Sequence, residues 1–103
     1  PQTPRDFVPK FAAALDITAT TRKRALDLAE LAVETGVANG RQPSGVAAAC
    51  LYQATHECDT TRTQAELADL ADVTPVTLRT GWHDLRDVLQ TAETDADDAV
   101  EGC

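Results

Sequence analysis

The sequence predicts an all-α domain, a bundle of five helices whose last two form a helix-turn-helix. Three observations predict it. Apolar residues recur at the helical spacings i, i+3, i+4 and i+7 in successive segments, with almost no strand-like alternation. Helix-start signatures precede most of these segments: Thr3-Pro4-x-Asp6, Thr18, Ser44, Thr63-x-x-Glu66 and Thr74-Pro75. The chain has 103 residues, enough for one compact domain and too few for a second core of ordinary size.

Thr3, Pro4 and Asp6 read as an N-cap, a first-position proline and a capping-box acid, followed by an apolar stripe of Phe7, Val8, Phe11, Ala12 and Leu15. They predict a first helix from Pro4 to about Leu15, with a kink or restart at Pro9, which lacks a backbone donor. Asp16 to Thr18 break the pattern, and Thr18 caps the next segment. From Ala19 to about Gly36, Ala25, Leu26, Leu28, Ala29, Ala32 and Val33 cover one wide face. Arg22, Lys23 and Arg24 read as part of the solvated side.

Gly36 to Gly45 is a connection, and Ser44 is expected to cap the third helix. Val46-Ala-Ala-Ala-Cys50-Leu51-Tyr52 is apolar all round, which predicts a central helix buried on every side by close-packed neighbours. Asp59 to Arg62 is a polar turn. A short fourth helix follows, with Leu67, Ala68, Leu70 and Ala71 buried. Thr74 and Pro75 open the fifth only a few residues later, so the two helices form a helix-turn-helix. On the fifth, Leu78, Trp82, Leu85 and Leu89 make the core stripe. Val76, Arg79, Thr80, His83 and Arg86 lie roughly opposite, over about a third of the circumference. The domain is expected to span residues 1–90, with 91–103 an acidic, disordered tail.

Nine Lys and Arg face 17 Asp and Glu, a net charge of −8, which argues against a strongly basic nucleic-acid binder. Much of that charge is terminal, because Thr91 to Cys103 hold five acids and no base, leaving 9 bases against 12 acids in residues 1–90. Dense carboxylates, 14 Thr, 18 Ala and basic residues that are mostly Arg fit a salt-rich cytoplasm, where molar counterions shorten the Debye length to about 3 Å. No apolar run reaches the length of a membrane span and no signal-peptide pattern is present, so a soluble, intracellular chain is expected.

Cys50, Cys58 and Cys103 are odd in number and include no CxxC pair, so reduced thiols are expected, with Cys50 a small core residue. Cys50, His56 and Cys58 would diverge on a helix and make a poor metal site. His56-Glu57 begins a zinc-protease motif that fails at Thr60, where a second histidine is required. No nucleophile with a base, no paired carboxylates on one face and no phosphate-cradling glycine loop can be found. The sequence therefore predicts neither an enzyme, nor a cofactor, nor a metal.

In a DNA-binding helix-turn-helix the second helix enters the major groove and its N-terminal residues meet base edges. Val76 and Arg79 are placed for this: Arg can fork to guanine O6 and N7, and Val can pack on a thymine methyl. Arg62, Thr63 and Gln64 at the start of the fourth helix are placed to grip phosphates, and Arg41 with the start of the third helix offers a second such site. Many helix pairs with short turns bind no DNA. His83 also suits a surface histidine, Trp82 suits core, and Asp84 and Asp87 oppose phosphate approach unless they point away.

Arg41-Gln-Pro-Ser-Gly-Val-Ala-Ala-Ala, Leu51-Tyr52-Gln-Ala, Thr63-Gln64-Ala-Glu66-Leu-Ala, Val73-Thr74-Pro-Val76-Thr77-Leu78-Arg79 and Trp82-x-x-Leu85 resemble the second cyclin-like repeat of archaeal transcription initiation factor B, a relative of eukaryotic TFIIB. Asp6-Phe-Val-Pro-Lys-Phe11 resembles the start of that repeat. The resemblance covers about residues 4–90 in several ordered blocks, which is far more specific than a lone helix-turn-helix.

The resemblance implies a five-helix cyclin-like fold and a ternary complex with the TATA-binding protein and promoter DNA. The helix-turn-helix would read the factor-B recognition element upstream of the TATA box. The family's base-reading valine and arginine fall on Val76 and Arg79. Thr63, Gln64, Arg41 and Ser44 would contact the DNA backbone; Thr80, His83 and Arg86 join them as flanking contacts from the helical wheel. A zinc ribbon and a first cyclin repeat have no counterpart here, so the chain is expected to be a fragment that meets RNA polymerase only through the full-length factor. The implied location is an archaeal cytoplasm, at the nucleoid. A cyclin-fold module that binds only protein is the competing expectation, and Arg79→Ala separates the two by its effect on DNA sequence preference.

Overall fold

The computed structural model describes residues 3–58 and 62–96, with side chains through Thr91. Five helices follow one another: α1 (Pro4–Ala14), α2 (Ala19–Thr35), α3 (Pro43–Cys58), α4 (Gln64–Ala71) and α5 (Pro75–Ala96). Among the described residues there is no strand.

α3 is the axis of the bundle and packs against each of the other four helices. Gly45 through Leu51, Ala54 and Thr55 are all buried on it. Only small side chains let four neighbours approach one helix on all sides, which is why the run of alanines sits here. α3 adds Val46 and Leu51 to the core, and most of the larger core residues come from the surrounding helices: Val8 and Phe11, Leu28, Leu67, and Leu78, Leu85 and Leu89. Burying each leucine contributes about 1.5–3 kcal/mol. Thr55 is fully buried yet satisfied, its hydroxyl donating to the Tyr52 carbonyl at 3.0 Å. Burial pushes the Cys50 thiol up to about 12, because its thiolate would sit in a water-free core.

Local signals set the helix starts. Asp6 Oδ2 accepts from the Thr3 backbone N–H at 2.9 Å, Thr18 accepts from Thr21 N–H at 3.3 Å, and Thr74 accepts from Thr77 N–H at 3.1 Å. Thr63 and Glu66 exchange both bonds of a capping box at 3.0 and 3.2 Å. Gly36 ends α2 in the left-handed region at φ 89°, where only glycine escapes a steric penalty. The α4–α5 turn is tight: Asp72 takes φ 61° and Val73 N–H donates back to Ala68 at 2.9 Å.

Several details differ from the sequence reading. α1 is one helix with the exposed Pro9 inside it, and it ends at Ala14 with Leu15 as its cap. Val33 is exposed, and the α2 core face is completed instead by Thr21, whose hydroxyl is bonded to Thr18 at 2.9 Å. Leu70 is half-buried. Ser44 does not cap α3: Pro43 takes the first position, and the Ser44 hydroxyl donates to the Ala71 carbonyl at 3.1 Å, tying the end of α4 to the start of α3. Arg24 is not solvated; it forks onto Glu57 at 2.7 and 3.2 Å. Of the described cysteines, Cys50 keeps the expected thiol and Cys58 does not, being disulfide-bonded; an odd count excludes complete pairing but not a pair. α5 continues through Ala96, past the expected end at Gln90, since no Gly or Pro interrupts the Ala- and Glu-containing stretch. The turn at 59–61 and the tail at 97–103 lie outside the described residues.

Candidate nucleic-acid interface

The helix-turn-helix is seated on α3 at close range. A Cβ at Gly45 would stand 3.5 Å from Val73 in the turn, and Ser44 holds the end of α4 from the same side. With its Leu78–Leu85–Leu89 edge in the core, α5 presents its other side outward.

Val76, Arg79, Thr80, His83 and Arg86 are all exposed. Val76 is 60% exposed and stands two positions into the helix, where a groove-entering helix would place its reading residues. Arg79, one turn on, donates from Nη1 to Gln64 Oε1 at 3.3 Å, so the guanidinium leans toward the start of α4 while staying open to solvent. Gln64 Nε2 in turn approaches the Tyr52 hydroxyl at 3.5 Å. The Thr80 hydroxyl donates to the Val76 carbonyl at 2.9 Å. Arg86 lies over the Trp82 ring at 4.9 Å, a cation–π contact, and the His83 ring centroid is 5.3 Å from that of Trp82.

Other predicted contact residues are engaged within the fold. Arg41 donates to the Val37 carbonyl at 2.6 Å and pairs with Asp84. Arg62 donates to the Leu15 carbonyl at 2.8 Å, and Thr63 is occupied by the α4 capping box. Ser44 is committed to Ala71. The structure thus gathers Val76, Arg79 and Gln64, with Thr80, His83 and Arg86, on one exposed surface. Arg41 ties α5 to the α2–α3 connection, Ser44 ties the end of α4 to α3, and Arg62 ties the start of α4 to the end of α1.

Asp84 and Asp87 on α5 are also placed. Asp84 is paired with Arg41 on the side facing the α2–α3 connection. Asp87 lies three turns from Val76, about 16 Å along the axis, beside Leu31 and Thr35 of α2. Neither carboxylate abuts the Val76–Arg79 end.

One group escaped the sequence reading. Trp82 is half-buried; its indole N–H donates to Gln53 Oε1 at 2.8 Å, and it meets Tyr52 edge-on at 4.9 Å, with His56 beside Tyr52 at 4.9 Å. Only the i, i+4 spacing of Gln53 and Glu57, which bond at 2.7 Å, hinted at it. Among the described residues no three His, Cys, Asp or Glu side chains cluster as metal ligands, and no helix is long and apolar enough to cross a membrane.

A sequence model of the transcription factor TFIIB repeat matches residues 1–88. The chain is 45% identical over 87 residues to transcription initiation factor IIB 1 of Halobacterium salinarum, covering 84% of this chain and 30% of that protein. It is 40% identical over 89 residues to transcription initiation factor IIB of Archaeoglobus fulgidus, covering 86% and 27%. To the factor of the same name from Methanococcus maripaludis it is 42% identical over 89 residues, covering 86% and 26%. The chain therefore spans less than a third of the length of the relatives it matches.

Proposed function

The chain belongs to the transcription factor TFIIB repeat family, whose five-helix cyclin-like fold it has, and from that premise we propose that it serves promoter recognition in transcription initiation. In this reading it is the second cyclin-like repeat of the factor and sits beside the TATA-binding protein. The outer face of α5 enters the major groove at the factor-B recognition element, upstream of the TATA box.

The observation that carries the reading is the pairing of an outward Val76, 60% exposed, with an exposed Arg79 one turn later, at the N-terminal end of the second helix of a tight helix-turn-helix. Arg79 forks to a guanine and Val76 packs on a thymine methyl; each good bidentate contact gives about 1–3 kcal/mol of discrimination. Thr63, Thr80, His83 and Arg86 flank the groove, and Arg41, Ser44 and Arg62 hold the helix pair at its working angle. With a net charge of −8, affinity comes mainly from the protein partners and specificity from this small contact. Polymerase recruitment belongs to the longer factor. The chemistry is binding alone, and the location follows as the archaeal nucleoid.

An NMR titration tests this with a duplex carrying a purine-rich element beside a TATA box, and with a scrambled duplex, each with the TATA-binding protein present. Shifts concentrated between Thr63 and Arg86, larger for the specific duplex, are expected. Equal responses to both duplexes would move the function to protein-only interaction.

A further inference from the structure

Arg79 has a long, flexible side chain, and a freely rotating guanidinium makes a poor reader of a single base. In this fold it is held. Its Nη1 donates to Gln64 Oε1 at 3.3 Å, across the helix-turn-helix from α5 to α4. The same carboxamide turns its Nε2 toward the Tyr52 hydroxyl on α3, at 3.5 Å. The two partners fix the amide's sense: rotated by half a turn, its NH2 would face a guanidinium that has only donors.

Tyr52 is itself immobilised. Its ring is half-buried and meets Trp82 edge-on at 4.9 Å. The Trp82 indole N–H is anchored on Gln53 Oε1 at 2.8 Å, and Gln53 Nε2 donates to Glu57 at 2.7 Å. Glu57 is locked by the two-pronged Arg24 bridge from α2. A continuous set of polar and aromatic contacts therefore runs from α2 through α3 and Gln64 of α4 to Arg79 on α5.

We propose that Gln64, backed by Tyr52, is a positioning residue that holds the Arg79 guanidinium ready for a base edge, rather than a phosphate contact in its own right. The proposal rests on the base-reading function given above and deepens it. Side-chain ordering that is already present in the free protein need not be supplied on binding, and its loss falls on the contact that Arg79 makes.

Two variants, one of them also made in an Arg79→Ala background, and two readouts test it, on the full chain. Tyr52→Phe removes only the hydroxyl, and Gln64→Leu removes both amide bonds at similar volume; thermal unfolding confirms that each still folds. In the free protein, side-chain 15N spectra of Tyr52→Phe should show the Gln64 carboxamide and the Arg79 Nε–Hε signals displaced, with Arg5 unmoved. Unchanged Gln64 and Arg79 signals would overturn the proposal. With the TATA-binding protein bound, Gln64→Leu should lower the ratio of affinities for the specific and scrambled duplexes by about twofold to tenfold, with an unchanged salt slope and no further loss in an Arg79→Ala background. A phosphate contact would instead weaken both duplexes equally and leave the ratio unchanged, which would also overturn it. If the wild-type chain discriminates between no duplexes, base reading itself fails, and the free-protein spectra then decide alone whether Gln64 orders Arg79.

Discussion

The Arg41 guanidinium is shared between the Val37 carbonyl, 2.6 Å away, and the carboxylate of Asp84, 43 residues later in the chain. This one side chain ties the α2–α3 connection to the middle of α5. It also neutralises an acid on the helix that carries the candidate reading face. Its stem passes over Gly81, where an added Cβ would stand 3.8 Å from Arg41 Cδ.

Arg41→Ala should therefore lower stability by about 1 kcal/mol, mostly through the carbonyl bond and stem packing. The ion pair itself adds little, because Asp84 is 48% exposed and solvent screens it. Calorimetry should show a fall of about 4–8 °C in Tm, and Asp84→Asn a smaller one. An unchanged Tm in Arg41→Ala would show that the connection is held by other contacts.

Gly81 sits inside α5, where glycine costs about 0.5–1 kcal/mol relative to alanine. Its surroundings leave room, since the new Cβ would meet its nearest neighbours at 3.7–4.0 Å, ordinary contact distances. Gly81→Ala should raise stability by about that amount in denaturant unfolding. Destabilisation would mean that Arg41 or Ala49 is displaced.

Cys50 gives the fold a pH dependence of known sign. Its thiol rises from 9.0 to about 12 on folding, by desolvation. Below pH 9 the thiol is protonated in both states and nothing changes; above it the unfolded chain loses a proton that the folded chain keeps, so stability falls as pH rises toward 12. Cys50→Ala should remove this part of the alkaline decline. Parallel stability curves for the two proteins between pH 9 and 10.5 would contradict the assignment.

How far the sequence could be read depended on range. Start signals acting over three residues were legible for α1, α2, α4 and α5 and misread for α3; where they hold, as in the Thr63–Glu66 capping box and the Thr74–Pro75 start of α5, a cap and its partner are neighbours in the chain. Burial of the alanine run on α3 was legible too, since an all-round apolar helix has one environment open to it. The exposed face of α5 followed from its wheel, through the burial of Leu78, Leu85 and Leu89 opposite. Partners distant in sequence were not legible. Arg24 and Glu57 are 33 residues apart and Arg62 and Leu15 are 47, so no spacing rule pairs them. The helical wheel shows that an arginine is off the core stripe but not whether another helix meets it there. That is why Arg24, Arg41 and Arg62 looked like free cations and are engaged inside the fold.

Those engaged cations bear on salt dependence. With Arg41 and Arg62 bound internally, the cations left on the α5 face are Arg79 and Arg86, and few counterions are released when it meets DNA. The slope of log affinity against log salt should be shallow, about −2 or weaker, or inverted. A steep conventional loss of binding with added salt would sink the view that specificity here does not depend on a basic surface.

The most direct test of base reading by α5 is a base-substitution profile across the upstream element, measured for the wild-type chain and for Arg79→Ala with the TATA-binding protein present. The account predicts that the wild-type chain prefers guanine over other bases at one position by about fivefold or more, as a bidentate contact should. Arg79→Ala should flatten that position alone while leaving the fold intact. A profile identical in the two proteins, or flat in both, would contradict it.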